Sequence, residues 1–252
     1  QGIAQAQALE DSHASVKAKI RALHGSAGTQ SVNGASSLEY DYTAALNGFS
    51  IRIPYGDLEA VREMKEVKVA FVAEQYALPD TGRETESTIS MASSSGMVGA
   101  TEANELGYDG AGTVVAVLDT GMDTDHEAFS VMPTEAKYTR EDIQKLLEKG
   151  LACGMTTADE VYVSEKIPFG FDYAEGDAST EADIDHGVHV AGTVAGNNGE
   201  DFFGVAPNAQ LLVMKVFSDG SGSTSDDIIL AGLDDAVKLG ADAANLSLGS
   251  PA

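Results

Sequence analysis

The chain has 252 residues, of which 43% are hydrophobic, and its formal net charge is −25. This length allows two domains, and the apolar content is sufficient for a sizeable core. The strongly acidic composition argues against nucleic-acid binding, because such a surface repels phosphate, and no apolar run reaches the roughly 18 residues of a membrane helix.

The first 80 residues show a small α+β pattern. Apolar positions Val16 and Ile20 predict a helix over residues 12–23. Asn47-Gly48 is typical of a hairpin turn and precedes an alternating strand over 49–53. A helix capped by Asp57 and a strand over 67–72 follow. Because a module of this size is at the small end of independent stability, we expect it to use a partner surface.

A polar, turn-rich stretch then separates two regions of different composition. It contains Pro79–Ser87 and Ala92–Gly96, and this composition is typical of linkers that proteases can reach. We therefore place a linker with a maturation site at residues 81–98, between a first domain at 1–80 and a second at 99–252.

Strands and helices alternate after this boundary. Continuous apolar runs predict buried strands over residues 113–118, 211–217 and 243–246. A helix is predicted over 225–239, capped by Ser225 and ended by Gly240. Thr139 and Asp142 are spaced as a capping box for another helix. This alternation indicates an α/β domain with a parallel sheet.

Three segments of this domain carry residues suited to catalysis. Asp119 ends the first strand within Asp-Thr-Gly, His186 opens His-Gly-Val-His-Val-Ala-Gly, and Ser247-Leu248-Gly249 follows the last strand. Taken singly, each is ambiguous: Asp-Thr-Gly also occurs at aspartic-protease nucleophiles, and His186 with His189 has the spacing of a metal pair. Zinc is discounted because no HExxH motif and no third ligand motif are present.

In this order, the three segments resemble those of the subtilisin (subtilase) family of serine proteases. The resemblance implies a subtilisin-like, three-layer catalytic domain with a parallel sheet, incomplete at 99–252. It implies that His186 is the general base and that Asp119 holds its imidazole in the productive tautomer. His189 is assigned to packing. Extended peptide substrates would pair with two cleft segments, Gly220-Ser221-Gly222 and Ser247-Leu248-Gly249.

The chain departs from the common family pattern at two places. Val188 replaces the usual Thr beside the histidine. Asp119 and His186 also lie 67 positions apart, which is longer than in compact members and indicates an inserted segment. The insertion resembles those of the large cell-envelope proteinases of Gram-positive bacteria, the lactocepin and C5a-peptidase-like group, and this implies a secreted or cell-wall-attached protein. A long surface loop that is merely tolerated would give the same spacing.

Further expectations concern metals, the first domain and the nucleophile. No cofactor is required for catalysis, and a structural calcium ion is an option at the loop of residues 197–203. Lone Cys153 is interpreted as structural. Residues 1–80 resemble the inhibitory, ferredoxin-like propeptide of subtilases, which packs on its own catalytic domain and blocks the cleft.

No serine of the chain lies in the Gly-Thr-Ser-Met-type motif of the family nucleophile. We therefore expect that the serine lies downstream and that these 252 residues alone are inactive. Two alternatives remain: the propeptide acts as an inhibitor or folding module, or the chain is a non-catalytic binding protein on a subtilase scaffold.

Overall fold

A computed structural model describes residues 2–23, 38–78, 91–181 and 183–249. The N-terminal module, residues 2–78, begins with a long helix and continues into short elements. These elements are α1 (Gly2–Ala22), β1 (Asp41–Tyr42), β2 (Gly48–Phe49), a 3-10 turn (Tyr55–Asp57), α2 (Leu58–Arg62) and β3 (Gln75–Ala77). Val16, Ile20 and Val61 form its small core. The predicted α+β character is confirmed, and the first helix begins ten residues earlier than its apolar pattern indicated.

The strand predicted over residues 67–72 is wrong. These residues have no regular structure, and Val69, Phe71 and Val72 are exposed. The predicted strand over 49–53 is likewise reduced to Gly48–Phe49, paired only with Asp41–Tyr42. An apolar pattern becomes a strand only where a neighbouring strand satisfies its backbone groups.

The linker prediction is only partly testable, because residues 79–90 lie outside the described residues. The next described residues form two short helices, α3 (Met91–Met97) and α4 (Ala100–Glu105). A linker at residues 81–98 thus stays a prediction, but Ala92–Gly96 is helical and not turn-rich. Its serines and glycine are compatible with a short helix that continues the chain directly into the second domain.

The C-terminal module, residues 91–249, contains a four-stranded parallel sheet. Its remaining elements are β4 (Val114–Asp119), a 3-10 turn (Glu127–Phe129), α5 (Arg140–Leu147), α6 (Ala158–Val161), β5 (Phe169–Asp172), α7 (His186–Ala195), β6 (Gln210–Lys215), β7 (Ser223–Ser225), α8 (Asp226–Leu239) and β8 (Ala243–Leu246). The strand order is β5-β6-β4-β8. Three of these strands were predicted, whereas β5 was not.

Side chains that alternate along β4 divide the core into two layers. Ala116 and Leu118 join a cluster with α8 and α5, whereas Val117 joins a cluster with α7. Helices therefore cover both faces of the sheet, which confirms the predicted three-layer α/β architecture. In the described part of the chain, no helix is both long and apolar enough to cross a membrane.

The inserted segment, defined here as residues 139–173, packs on the α8 side of the sheet. Thr139 and Asp142 form the predicted capping box at the start of α5. Ile143 and Leu147 of α5 are buried against the main core. The segment ends in β5, which pairs in parallel with β6 at the edge of the sheet. It is thus an integral part of the layer and not a loose surface loop.

Candidate active site

Asp119 is the last residue of β4, where parallel strands present their carboxyl ends. Its side chain is buried, with 1% of the residue exposed. Oδ1 accepts a hydrogen bond of 2.7 Å from the backbone N–H of Thr120, whereas Oδ2 has no partner among the described residues. A buried carboxylate is stabilised by each hydrogen-bond donor that reaches it from a neighbouring element.

His186, at the first position of α7, supplies a second donor to Oδ1, and Oδ2 stays without a partner among the described residues. Its Nδ1 lies 2.7 Å from Asp119 Oδ1, and its side chain remains 37% exposed. The Thr120 hydroxyl joins the two elements: it accepts from the N–H of Gly187 at 2.9 Å and donates to the carbonyl of Ile184 at 3.1 Å. Backbone contacts on both sides therefore fix the ring against the carboxylate.

Two glycines permit this close approach of helix and strand. A Cβ at Gly187 would overlap the carbonyl oxygen of Gly121 and lie 3.0 Å from Thr120 Oγ1. Gly121 has a φ of 93°, and a Cβ there would overlap the backbone carbonyl oxygen of Thr180. Glycine is the residue that combines positive φ with such backbone contact.

Lys215 of β6 stabilises the sheet at the ends of the two neighbouring strands. It is paired in register with Asp119 on one side and with Asp172 on the other. Its buried ammonium forms an ion pair with Asp172 and another, at 3.0 Å, with Asp219. Burial lowers the pKa of Lys215, but the hydrogen bonds to both aspartates outweigh it and leave this pKa raised. The charged lysine thus links β6 to the turn that precedes β7.

The Asp119–His186 pair can hold a proton on Nδ1 and leave Nε2 as a base. The carboxylate accepts from Nδ1 and stabilises the imidazolium that forms when Nε2 takes up a proton. No described residue forms a hydrogen bond with Nε2, and the ring borders an open cleft. The cleft is lined by His186, His189, Val190, Thr193, Val194, Asn245 and Ser247.

The first predicted substrate segment lies beside the chain of the N-terminal module. β3 pairs antiparallel with β7, with Gln75 opposite Ser225 and Ala77 opposite Ser223. The N–H of Leu78 donates to the carbonyl of Gly222 at 3.0 Å. The structure therefore places Gly222 next to an extended segment of the N-terminal module.

The paired residues themselves, Ser223–Ser225, were missed by the sequence analysis. Predicted Gly220 and Ser221 lie in the preceding turn, where Ser221 Oγ is 2.7 Å from Ser223 Oγ. The signal for Ser223–Ser225 was weak: three small polar residues with one β-branched member.

The second predicted segment follows β8 and divides between two environments. Ser247 lines the same cleft as His186 and donates a 2.9 Å hydrogen bond to Asn245 Oδ1. Leu248 packs against the main core, and Gly249 is exposed. Only Ser247 of this triplet thus shares the cleft with the histidine in the described part of the chain.

Aspartates of α8 bind the N-terminal module, and the sequence analysis did not identify them. The Asp226 carboxylate accepts from the N–H of Glu74 at 2.9 Å and from the Tyr76 hydroxyl at 2.8 Å. The Tyr42 hydroxyl donates to the Asp227 carbonyl at 2.9 Å. The available signal was the presence of two Asp-Asp pairs, at 226–227 and 234–235, on an otherwise apolar helix.

Two further histidines have structural or solvent-facing positions. His189 was assigned to packing, and this is wrong: its side chain is 79% exposed because it lies on the outer face of α7. Nδ1 of His126 accepts from the N–H of Ala128 at 3.1 Å and so caps a short turn.

The expected calcium loop forms hydrogen bonds within itself. Asn198 Oδ1 accepts from the N–H groups of residues 200, 201 and 202, and Asn197 Oδ1 accepts from Gly199. Among the described residues, no group of three His, Cys, Asp or Glu side chains is placed to hold a metal ion. The amide oxygens of Asn197 and Asn198 are therefore already engaged.

Cys153 lies on the inserted segment next to Asp235. Burial, with a further contribution from the Asp235 charge, raises the pKa of its thiol far above the usual range. A thiol that stays protonated is a poor nucleophile, in keeping with a structural role.

Comparisons with known proteins assign both modules to families. The profile described as Subtilase family matches residues 110–252. The profile described as Peptidase inhibitor I9 matches residues 3–77. The order of the two is that of a propeptide followed by a catalytic domain.

Two curated relatives match nearly the whole chain, and a third matches somewhat more than half of it. The PI-type proteinase of Lactococcus lactis subsp. cremoris is 35% identical over 248 residues, which are 94% of this chain and 12% of the relative. The minor extracellular protease Vpr of Bacillus subtilis is 32% identical over 254 residues, covering 97% of the chain and 28% of the relative. The C5a peptidase of Streptococcus pyogenes serotype M1 is 36% identical over 156 residues, covering 57% of the chain and 12% of the relative.

The chain thus spans about an eighth of the length of the first of these relatives. The subtilase profile covers more than half of the chain, and it includes both Asp119 and His186. On this evidence the chain belongs to the subtilase family, with a peptidase-inhibitor propeptide in front of its catalytic domain.

Proposed function

We propose that the protein is a bacterial serine endopeptidase, secreted or attached to the cell wall, in which Asp119 and His186 serve an Asp-His-Ser triad. The observation that carries this proposal is the 2.7 Å contact between buried Asp119 Oδ1 and His186 Nδ1. Relatives named as proteinases, one of them extracellular, support the same reaction and location.

In the proposed mechanism His186 takes the proton of a serine hydroxyl and later gives it to the leaving amine. Asp119 keeps the ring in the tautomer that exposes Nε2 and stabilises its protonated form. None of the serines of the 252-residue chain lies in a Gly-Thr-Ser motif, and the nucleophile is proposed to come from another part of the protein. The chemistry needs no cofactor, because side chains supply both the base and its orienting carboxylate.

The N-terminal module is proposed to inhibit this enzyme by occupying the position of the substrate. Its strand β3 pairs with β7 by main-chain hydrogen bonds, which are the contacts that an extended protein substrate would make. A substrate entering along β7 must displace Gln75–Ala77. Peptide hydrolysis by the full-length protein is therefore expected to rise when residues 1–78 have been removed by processing.

Peptide hydrolysis and active-serine labelling by a fluorophosphonate test the catalytic assignment in the full-length, processed protein. Asp119→Asn is expected to lower kcat by about 10⁴-fold, because the orientation of the base is lost, and His186→Ala by about 10⁶-fold, because the base itself is lost. His189→Ala is the matched control three positions along the same helix: it removes an exposed histidine that lines the cleft, so it is expected to change KM at most and to leave kcat near the parental value.

Retention of activity in His186→Ala would contradict the triad. Equal losses in His186→Ala and His189→Ala would point to damage of the helix instead.

A further inference from the structure

Two neighbouring aspartates of α8 bind two different segments of the chain. The carboxylate of Asp234 accepts hydrogen bonds from the backbone N–H groups of residues 43–45, at 2.6 to 3.1 Å. The carboxylate of Asp235 accepts from the N–H groups of residues 152–153, at 2.5 and 2.9 Å. Both side chains are fully buried. One turn of α8 therefore binds both the N-terminal module and the inserted segment.

Lys238 joins these two contacts. Its ammonium lies 3.2 Å from Asp234 Oδ2 and donates to the carbonyl of Gly150 at 2.7 Å. Lys149 in turn donates to the backbone carbonyl of Lys238 at 2.9 Å. Removing the cation from a buried ion pair strongly destabilises the folded protein, because the carboxylate is left buried and unpaired. The charge that holds residues 43–45 is thus compensated by a lysine that the inserted segment keeps in place.

Tyr173, at the end of the inserted segment, forms a second connection. The Tyr40 hydroxyl donates to its carbonyl oxygen, and the two rings are 6.4 Å apart between centroids. The Tyr173 hydroxyl donates to Asp235 Oδ2 at 2.8 Å. Tyr40 is almost completely buried in this contact. Hydrogen bonds therefore run from the N-terminal module through the inserted segment to the second aspartate.

We propose that the inserted segment is part of the docking surface for the N-terminal module. It fixes Asp234 through Lys238 and fixes Asp235 through residues 152–153 and Tyr173, and this determines how tightly residues 40–45 are held. The hydrogen bonds of Asp119 and His186 involve none of these residues. These contacts of the inserted segment accordingly act on retention of the propeptide and not on the catalytic pair.

Hydrogen–deuterium exchange of the 252-residue chain tests this proposal. In Lys238→Met, the amides of Thr43, Ala44 and Ala45 are expected to exchange at least tenfold faster, while those of β4 keep their parental rates. Lys145→Met is the matched control, because it removes an exposed lysine from α5 of the same segment. This control is expected to leave exchange at residues 43–45 unchanged.

A double variant shows whether the effect passes through Asp234. If it does, adding Lys238→Met to Asp234→Asn accelerates exchange at residues 43–45 by less than threefold. A full tenfold acceleration in the Asp234→Asn background would overturn the route through the ion pair.

Asp235→Asn keeps the proposal testable should Lys238→Met fail to fold. It removes the charge that holds residues 152–153 with little change of shape, and we expect at least threefold faster exchange at residues 43–45 as well. Parental rates at 43–45 in either folded variant would refute a role of the inserted segment in docking. These measurements need no protease activity, so their failure is separate from a failure of the catalytic assignment.

Discussion

Substitution of Gly187 by Ala is expected to destabilise the protein by separating the two catalytic elements. The new Cβ would overlap the carbonyl oxygen of Gly121 and lie 3.0 Å from Thr120 Oγ1, so that α7 must move away from the end of β4. Such overpacking costs about 1 to 3 kcal/mol. Weakening the 2.9 Å bond from Gly187 N–H to Thr120 adds about 1 kcal/mol. Alanine regains at most about 1 kcal/mol of helix propensity, which leaves a net loss of about 1 to 3 kcal/mol.

Urea unfolding followed by far-UV circular dichroism measures this loss. Gly192→Ala provides the matched control on the same helix, where a Cβ would lie 3.3 Å from Cζ of Phe202, the movable end of a side chain. We expect this control to stay within about 1 kcal/mol of the parent. If Gly187→Ala were as stable as Gly192→Ala, the argument that backbone contact sets the distance from His186 to Asp119 would fail.

Three further predictions concern stability. Burial raises the pKa of Asp235 from 3.8 to about 6, so the folded state retains a proton that the unfolded chain has released. The contribution of Asp235 to the free energy of unfolding therefore falls by about 3 kcal/mol as pH rises from 3.8 to 6. The stability of Asp235→Asn relative to the parent should rise by that amount between these pH values. A difference that stays constant in denaturant titrations from pH 4 to 7 would count against it. Burial lowers the pKa of Lys166 from 10.5 to about 8, so its contribution to stability rises between pH 8 and 10.5 by about 3 kcal/mol. Lys166→Met should lack this rise when thermal unfolding of both proteins is followed over that range, and parallel curves would disprove the assignment. Thr139→Ala removes the capping box of α5 and should cost about 1 kcal/mol in urea unfolding, whereas Thr139→Ser should restore most of it.

Much of the catalytic domain could be predicted because its signals are local. Continuous apolar runs marked β4, β6 and β8, and Ser225 with Gly240 marked the ends of α8. A strand buried on both faces and a capped helix are each specified by their own residues. These predictions did not require knowledge of what the elements touch.

The errors arose where structure depends on a partner. The strand predicted at 67–72 lacks a neighbouring strand, whereas β3 forms at Gln75–Ala77 because β7 lies beside it. β5 was missed because four residues with a central Gly170 carry little periodic signal, and pairing with β6 makes them a strand. His189 was predicted to be packed, but its side chain lies on the exposed outer face of its helix.

The sequence by itself determined that Asp119 ends a buried strand and that His186 begins a helix, since both follow from local pattern. Tertiary structure alone decided that they meet at 2.7 Å across 67 residues, that β3 lies along β7, and that Asp234 and Asp235 bind different segments. The physical reason is that sheet order and helix packing bring distant residues together, whereas periodicity reports only which face of an element is apolar.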